Sequence, residues 1–261
     1  MKISMYQVDA FTHSVFGGNP AAVCLLDHEI PAELMQQIAA ENNLAETAFL
    51  LPQDSTIQIR WFTPTVEVDL CGHATLASAH VLFQEFRRNA ESISFYSPRS
   101  GALSVSRSGD WLTLDFPVDQ FHQTDAPPLL EEAIGRKPLD AYRGKTDYLL
   151  IYPSEVDIAS IDPDMALLKR AGGRGVIVSA PGDHCDFVSR FFAPQSGIDE
   201  DPVTGSAHTT LTPYWSNRLG KKQLTAQQIS KRGGDLRCED KGDRILISGQ
   251  AVTFFKGQIE V

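Results

Sequence analysis

Two mixed α+β lobes of the same build are predicted for this chain by three observations. The sequence repeats itself once, the same order of strand and helix patterns runs through each half, and a proline-bearing stretch joins them. At 261 residues the chain is long enough for two modest cores of about 100–150 residues each.

The repeat is read directly from the residues. Arg60-Trp61-Phe62-Thr63-Pro64 is echoed 130 positions later by Arg190-Phe191-Phe192-Ala193-Pro194. Beyond that point the offset becomes 133. Gly72-His73-Ala74 then matches Gly205-Ser206-Ala207, Ser97-Pro98-Arg99-Ser100-Gly101 matches Ser230-Lys231-Arg232-Gly233-Gly234, and Gly109-Asp110 matches Gly242-Asp243. Four matches in order with one change of offset imply a duplication with three extra residues in the second loop.

The predicted elements follow that order. Met1–Val8 and Ala21–Leu26 have strand patterns across a turn containing Gly17-Gly18-Asn19-Pro20. A helix opens at Pro31, strands follow at Thr47–Leu51 and Ile57–Phe62, and a second helix runs from about Gly72 to Phe86. Strands near Ile93–Tyr96, Ala102–Arg107 and Trp111–Phe116 close the half. The second half reads as strand Asp147–Tyr152, helix Pro163–Ala171, strands near Val176–Val178 and Phe187–Phe192, and a helix from about Gly205. Strands near Gln227–Ser230, Leu236–Glu239 and Arg244–Ser248 complete it. Asp115–Pro128, with Pro117, Pro127 and Pro128, reads as the connection, so the lobes are drawn as 1–118 and 119–261. The strand expected in Ala251–Val261 has no counterpart and is free to pair in either lobe. A pseudo-twofold relation between two such lobes predicts a cleft between them as the place for a small-molecule site.

Composition narrows the partners. With 23 Lys and Arg against 33 Asp and Glu, the formal net charge is -10. No basic stripe for nucleic acid is present. The apolar runs are strand-length, the first fifteen residues lack a signal-peptide core, and Cys24, Cys71, Cys185 and Cys238 are scattered without CxxC spacing. Reduced thiols in a cytoplasmic protein with no nucleic-acid or membrane partner are the expectation.

The segments richest in chemistry are Asp69-Leu70-Cys71-Gly72-His73-Ala74-Thr75 and Asp201-Pro202-Val203-Thr204-Gly205-Ser206-Ala207-His208. Each leads into a helix. Free N–H groups there suit a carboxylate or a developing oxyanion, while His73 and Ser206 also fit as plain N-caps. The reactive groups are not duplicated: Cys71 aligns with Thr204, His73 with Ser206, and Glu46 with Val176. Glu46, at the start of an apolar strand, is either an exposed charge or a tuned acid/base group.

At these residues the chain resembles the PhzF-type family of phenazine-biosynthesis-like proteins, in the diaminopimelate epimerase/proline racemase superfamily. The resemblance rests on Val8-Asp9-Ala10-Phe11-Thr12, Gly18-Asn19-Pro20-Ala21-Ala22-Val23, Glu46-Thr47-Ala48-Phe49, Arg60-Trp61-Phe62-Thr63-Pro64, Cys71-Gly72-His73-Ala74-Thr75 and Glu200-Asp201-Pro202-Val203-Thr204-Gly205-Ser206-Ala207, and runs nearly end to end. It implies lobes made of a mostly antiparallel sheet wrapped around a central helix, an inter-lobe active site and a homodimer. It also implies a cofactor-independent isomerisation of a small carboxylate-bearing substrate, similar to that of trans-2,3-dihydro-3-hydroxyanthranilate. In that scheme Glu46 moves the proton, His73, Asp201 and Ser206 are its catalytic partners, and Asn19, Gly72, Thr204 and Gly205 bind substrate.

Three other readings compete with it. A two-thiol racemase needs a second cysteine where the chain offers Pro202, Val203 and Thr204, although an epimerase using Glu46 opposite Asp201 stays open. A non-catalytic small-molecule binder on the same fold also stays open. A metal site from Cys71, His73, His80 and His208 lacks zinc-ligand spacing, so no metal is expected. Pro213 is expected to kink or restart the helix that begins near Gly205.

Overall fold

The computed structural model describes residues 1–53 and 56–261. They divide into two compact units, Met1–Asp115 with Ser248–Val261, and Phe116–Ile247.

The first unit begins β1 (Lys2–Ala10), β2 (Asn19–Leu25), α1 (Ala32–Asn42), β3 (Glu46–Gln53), β4 (Thr56–Phe62) and β5 (Glu67–Val68). It continues with α2 (Gly72–Glu85), β6 (Ser92–Ser97), β7 (Gly101–Ser108) and β8 (Trp111–Pro117). β1 and β2 are antiparallel, β2 and β3 parallel, β3 and β4 antiparallel. β4 then pairs antiparallel with β5 and parallel with β6, and β6, β7 and β8 follow as an antiparallel meander. α2 touches β1, β2, β3 and β7, so the sheet curls around it. Ten of its residues, including His73, Ala74, Leu76, Ala77 and Phe83, are buried. A helix apolar on every side has no outward face to give to water, which is why it becomes the core. α1 covers the other face of the sheet, where Met35, Ile38 and Ala39 meet Ile3, Phe49 and Phe62.

The second unit contains β9 (His122–Thr124), α3 (Pro128–Ile134), β10 (Asp140–Arg143), β11 (Asp147–Ile151), α4 (Glu155–Ala159), α5 (Met165–Ala171), β12 (Gly175–Pro181) and β13 (Phe187–Ala193). A 3-10 turn at Pro194–Ser196 precedes β14 (Ile198–Asp201), α6 (His208–Leu219), β15 (Gln223–Gln228), β16 (Gly234–Asp240) and β17 (Arg244–Gly249). The strand senses repeat those of the first unit. β10 and β11 are antiparallel, β11 and β12 parallel, β12 and β13 antiparallel. β13 pairs antiparallel with β14 and parallel with β15, which is antiparallel to β16.

Side chains repeat as well. Arg60 donates to both carboxylate oxygens of Glu67 at 2.7 and 2.9 Å, and Arg190 does the same to Glu200 at 2.7 and 3.0 Å. Each guanidinium also lies over the phenylalanine two residues on, Phe62 or Phe192, at 5.2 and 4.8 Å. The three extra residues of the second copy coincide with the Pro194–Ser196 turn.

The last strand, open to either lobe in the sequence, is β18 (Ala251–Glu260); it pairs antiparallel with β1 from Lys2↔Glu260 to Ala10↔Ala251, so the chain's end groups with the first unit. Other elements differ from expectation. α3 and α4 were not expected; with seven and five residues they are too short to show a helical period. The helix expected from Pro163 starts at Met165, because the Asp164 carboxylate caps it, accepting from the N–H groups of Ala166 and Leu167 at 2.9 and 3.0 Å.

The helix expected from Gly205 starts at His208 and runs unbroken through Pro213. Proline denies the Thr209 carbonyl its helical donor, and the Asp119 N–H fills that place at 3.3 Å. The Thr210 hydroxyl donates to Asp119 Oδ2 at 2.8 Å and fastens the same segment. Capping by side chains is absent at both central helices: the N-cap residues are Cys71 and Ala207, and neither makes a side-chain cap. No helix among the described residues is long and apolar enough to cross a membrane.

Candidate active site

In the first unit the structure gathers three of the expected residues. β2 begins at Asn19 because Gly18 turns the chain with φ +60, and a Cβ there would lie 2.1 Å from the Ala10 carbonyl oxygen. Asp9 holds the turn by accepting the Phe16 N–H at 2.8 Å. β3 begins at Glu46, after α1 ends in a left-handed Asn43, and parallel pairing sets Glu46 beside Ala21, two residues past Asn19. α2 brings in His73 on its first turn.

The Asn19 amide lies 3.2 Å from His73 Nδ1, and Glu46 Oε2 lies 3.3 Å from His73 Nε2. Burial pushes the His73 pKa down to about 3, so the ring is neutral near pH 7. With Asn19 donating to Nδ1, the ring proton sits on Nε2, the nitrogen beside Glu46, although the two are not aligned as a hydrogen bond. The Cys71 sulfur approaches Nδ1 at 3.5 Å. Asn19 and His73 are 0% and 5% exposed, and the Glu46 side chain keeps 14% of its surface while its Oε2 is buried against the ring.

In the second unit the structure joins Asp201 and Thr204. The Thr204 hydroxyl donates to Asp201 Oδ2 at 2.6 Å. Gln228, at the end of β15, holds the whole turn. Its Oε1 accepts the Thr204 N–H at 2.8 Å, and its Nε2 donates to Thr204 Oγ1 at 3.1 Å and to the Asp201 carbonyl at 2.7 Å. Ser206 is exposed and accepts a hydrogen bond from Arg174 Nη2 at 3.0 Å. Gly72 opens α2, and Gly205 accepts the His208 N–H at 3.1 Å in the turn before α6.

Gln228 and Arg174 were missed by sequence reasoning. Neither lies in a motif, and a buried glutamine at a strand end has no periodic signature. The repeat does explain His208. Its Nδ1–H donates to the Thr204 carbonyl at 2.8 Å, and at the matching position Thr75 Oγ1 donates to the Cys71 carbonyl at 2.6 Å. His208 is therefore a structural copy of a threonine back-bond, and burial lowers its pKa to about 4.

Of the histidines in the metal set, His80 contacts Thr253 Oγ1 at 3.1 Å, and His208 uses Nδ1 on the Thr204 carbonyl. Donor atoms of Glu46, Cys71 and His73 do lie within 4.8 Å of one another. Cys71 meets the Nδ1 edge of the imidazole and Glu46 the Nε2 edge. None of the four cysteines forms a disulfide; burial raises Cys24 and Cys238 to about 12 and Cys185 to about 11.

The sheet curled around a buried helix in each unit defines a fold class that a hydroxyproline epimerase from Agrobacterium vitis shares, superposing with a TM-score of 0.62 at 12% identity, over 99% of this chain and 91% of that one. At that identity the likeness is one of fold. Within that fold class, residues 8–257 match the phenazine biosynthesis-like protein family, and the chain belongs to it. An uncharacterized isomerase of Pseudomonas aeruginosa is 52% identical over the full length of both chains. The crystal structure of a PhzF-family phenazine biosynthesis protein from Enterococcus faecalis superposes with a TM-score of 0.97 at 46% identity, again over the full length of both.

Proposed function

We propose that this chain is a cofactor-independent isomerase that moves a proton within a small carboxylate-bearing substrate, with Glu46 as the acid/base group. The observation that carries the reading is the 3.3 Å contact between Glu46 and a neutral, buried His73. The description of the Pseudomonas relative as an isomerase supports the reaction class.

In this reading the Glu46 carboxylate takes a proton from one substrate carbon, and the electron pair left behind spreads into the conjugated system. The resulting carboxylic acid returns the proton to another carbon on the same face, so the substrate is neither oxidised nor reduced. One base is enough for such a shift, and the matching position in the second copy, Val176, is an apolar buried residue. His73 orients the carboxylate from Nε2. Asn19 and Thr204, both buried and spent on His73 and Asp201, position those groups. Asp201 and Ser206 act as polar partners, with Gly72 and Gly205 toward the substrate carboxylate. The family resemblance supports a homodimer as the working form.

The test is proton exchange in D₂O, with trans-2,3-dihydro-3-hydroxyanthranilate first in a panel of small unsaturated carboxylates. A double-bond shift with deuterium uptake is expected, and Glu46→Gln should slow it by about 10²–10⁴-fold. A Glu46→Gln protein as fast as the unmutated chain sinks the reading. A product inverted at one carbon without a double-bond shift would favour the epimerase.

A further inference from the structure

Ser206 has a neighbour that no motif marks. Two consecutive left-handed glycines, Gly172 (φ +86) and Gly173 (φ +85), end α5 and deliver Arg174 just ahead of β12. The Arg174 N–H donates to the Thr146 carbonyl at 3.0 Å. Its guanidinium is then gripped from two sides. Nε donates to Asp147 Oδ1 at 3.0 Å and Nη2 donates to Asp147 Oδ2, while the plane lies over the Phe191 ring at 5.4 Å. Asp147 is 5% exposed, and β11 holds it beside Gly175 in the parallel register. A paired fork of this kind fixes the guanidinium in direction as well as place.

The same Nη2 also donates to Ser206 Oγ at 3.0 Å. A serine hydroxyl has one proton to give. With its oxygen accepting from Arg174, and its proton donated to no protein group among the described residues, the exposed Ser206 presents an O–H donor to solvent. The carboxylates of Asp201 and Asp119 lie within electrostatic reach of the same guanidinium. Without Arg174 the hydroxyl proton would be drawn toward this acidic ground and away from an incoming anion.

We propose that Arg174, clamped by Asp147 and seated on Phe191, is the positioning residue that fixes the Ser206 hydroxyl as an outward hydrogen-bond donor to the substrate carboxylate. The assignment rests on the reading of Ser206 given under the proposed function. It adds the group that decides which way the hydroxyl points.

The test is calorimetric binding of 2-aminobenzoate to the full-length chain. Ser206→Ala and Arg174→Gln should each weaken binding by about tenfold or more, the range for hydrogen bonds to a charged group. The decisive readout is the pair: Arg174→Gln added to Ser206→Ala should weaken binding no further, because both remove one donor. Arg174→Gln alone strands the buried Asp147 charge, so Arg174→Gln with Asp147→Asn is a second form that keeps a neutral amide pair. Losses that multiply in the combined variant would make Arg174 an independent charge and overturn the assignment, as would an Arg174→Gln chain that binds normally. Failure of the unmutated chain to bind 2-aminobenzoate and the rest of the carboxylate panel would end the carboxylate reading, and this assignment with it.

Discussion

Lowering the pH from 7 to 5 should destabilise this protein through two histidines, and the amount follows from their burial. His73 and His208 are held neutral, with pKa values of about 3 and about 4 against the ordinary 6.5. Below 6.5 the unfolded chain binds a proton at each ring that the folded chain refuses. Stability is therefore fully present above 6.5 and falls as pH drops, until the folded values are reached. At pH 5 the span is about 1.5 pH units, at about 1.4 kcal/mol per unit, which gives about 2 kcal/mol per ring and about 4 kcal/mol together. His80, lowered in the same direction by burial, adds to the effect. Against a typical domain stability of about 5–15 kcal/mol this is a large loss. Urea unfolding at pH 7, 6 and 5 measures it. His208→Gln, which keeps a donor for the Thr204 carbonyl, should remove about half of the two-ring loss. A stability unchanged between pH 7 and 5, or a His208→Gln chain with the same pH slope as the unmutated one, would refute the argument.

Three further outcomes are expected. Gly18→Ala forces a Cβ to within 2.1 Å of the Ala10 carbonyl oxygen at φ +60, so the urea midpoint should report a loss of more than about 2 kcal/mol. Gln228→Leu leaves the buried Thr204 N–H without its acceptor and releases the Asp201 turn; about 1–3 kcal/mol of stability should go, and exchange activity should fall with Glu46 untouched. Pro213→Ala should change stability by less than about 1 kcal/mol, because Asp119 already serves the Thr209 carbonyl. A gain near the roughly 3 kcal/mol that a helix-interior proline ordinarily costs would show that the compensation fails.

How much was legible depends on how local the cause is. The duplicated Arg-x-Phe segments were readable in sequence because the same two-residue spacing recreates the same stack of guanidinium on ring in each copy. Glu46, His73 and Asp201 were readable as candidates because each lies inside a motif run that carries the family resemblance, and local signals set the backbone at Asn19 and Glu46. Gly18 sets up Asn19, and the left-handed Asn43 ends α1 just before Glu46. Gln228 reaches Thr204 across 24 residues, and Arg174 reaches Ser206 across 32. No local pattern marks either one.

By itself, then, the sequence determined the two-copy α+β build, because hydrophobic period, turn residues and motif spacing act over a few positions, while Glu46 and His73 became candidates through the motifs that carry the family resemblance. Tertiary structure alone decided three things. It placed the last strand on β1, since strand pairing is a choice among distant partners. It let Pro213 sit inside α6, since the compensating N–H of Asp119 comes from far along the chain. It gave His208 a structural task and His73 a place against Glu46, since burial and the partner of each ring nitrogen, rather than residue type, set what a histidine does.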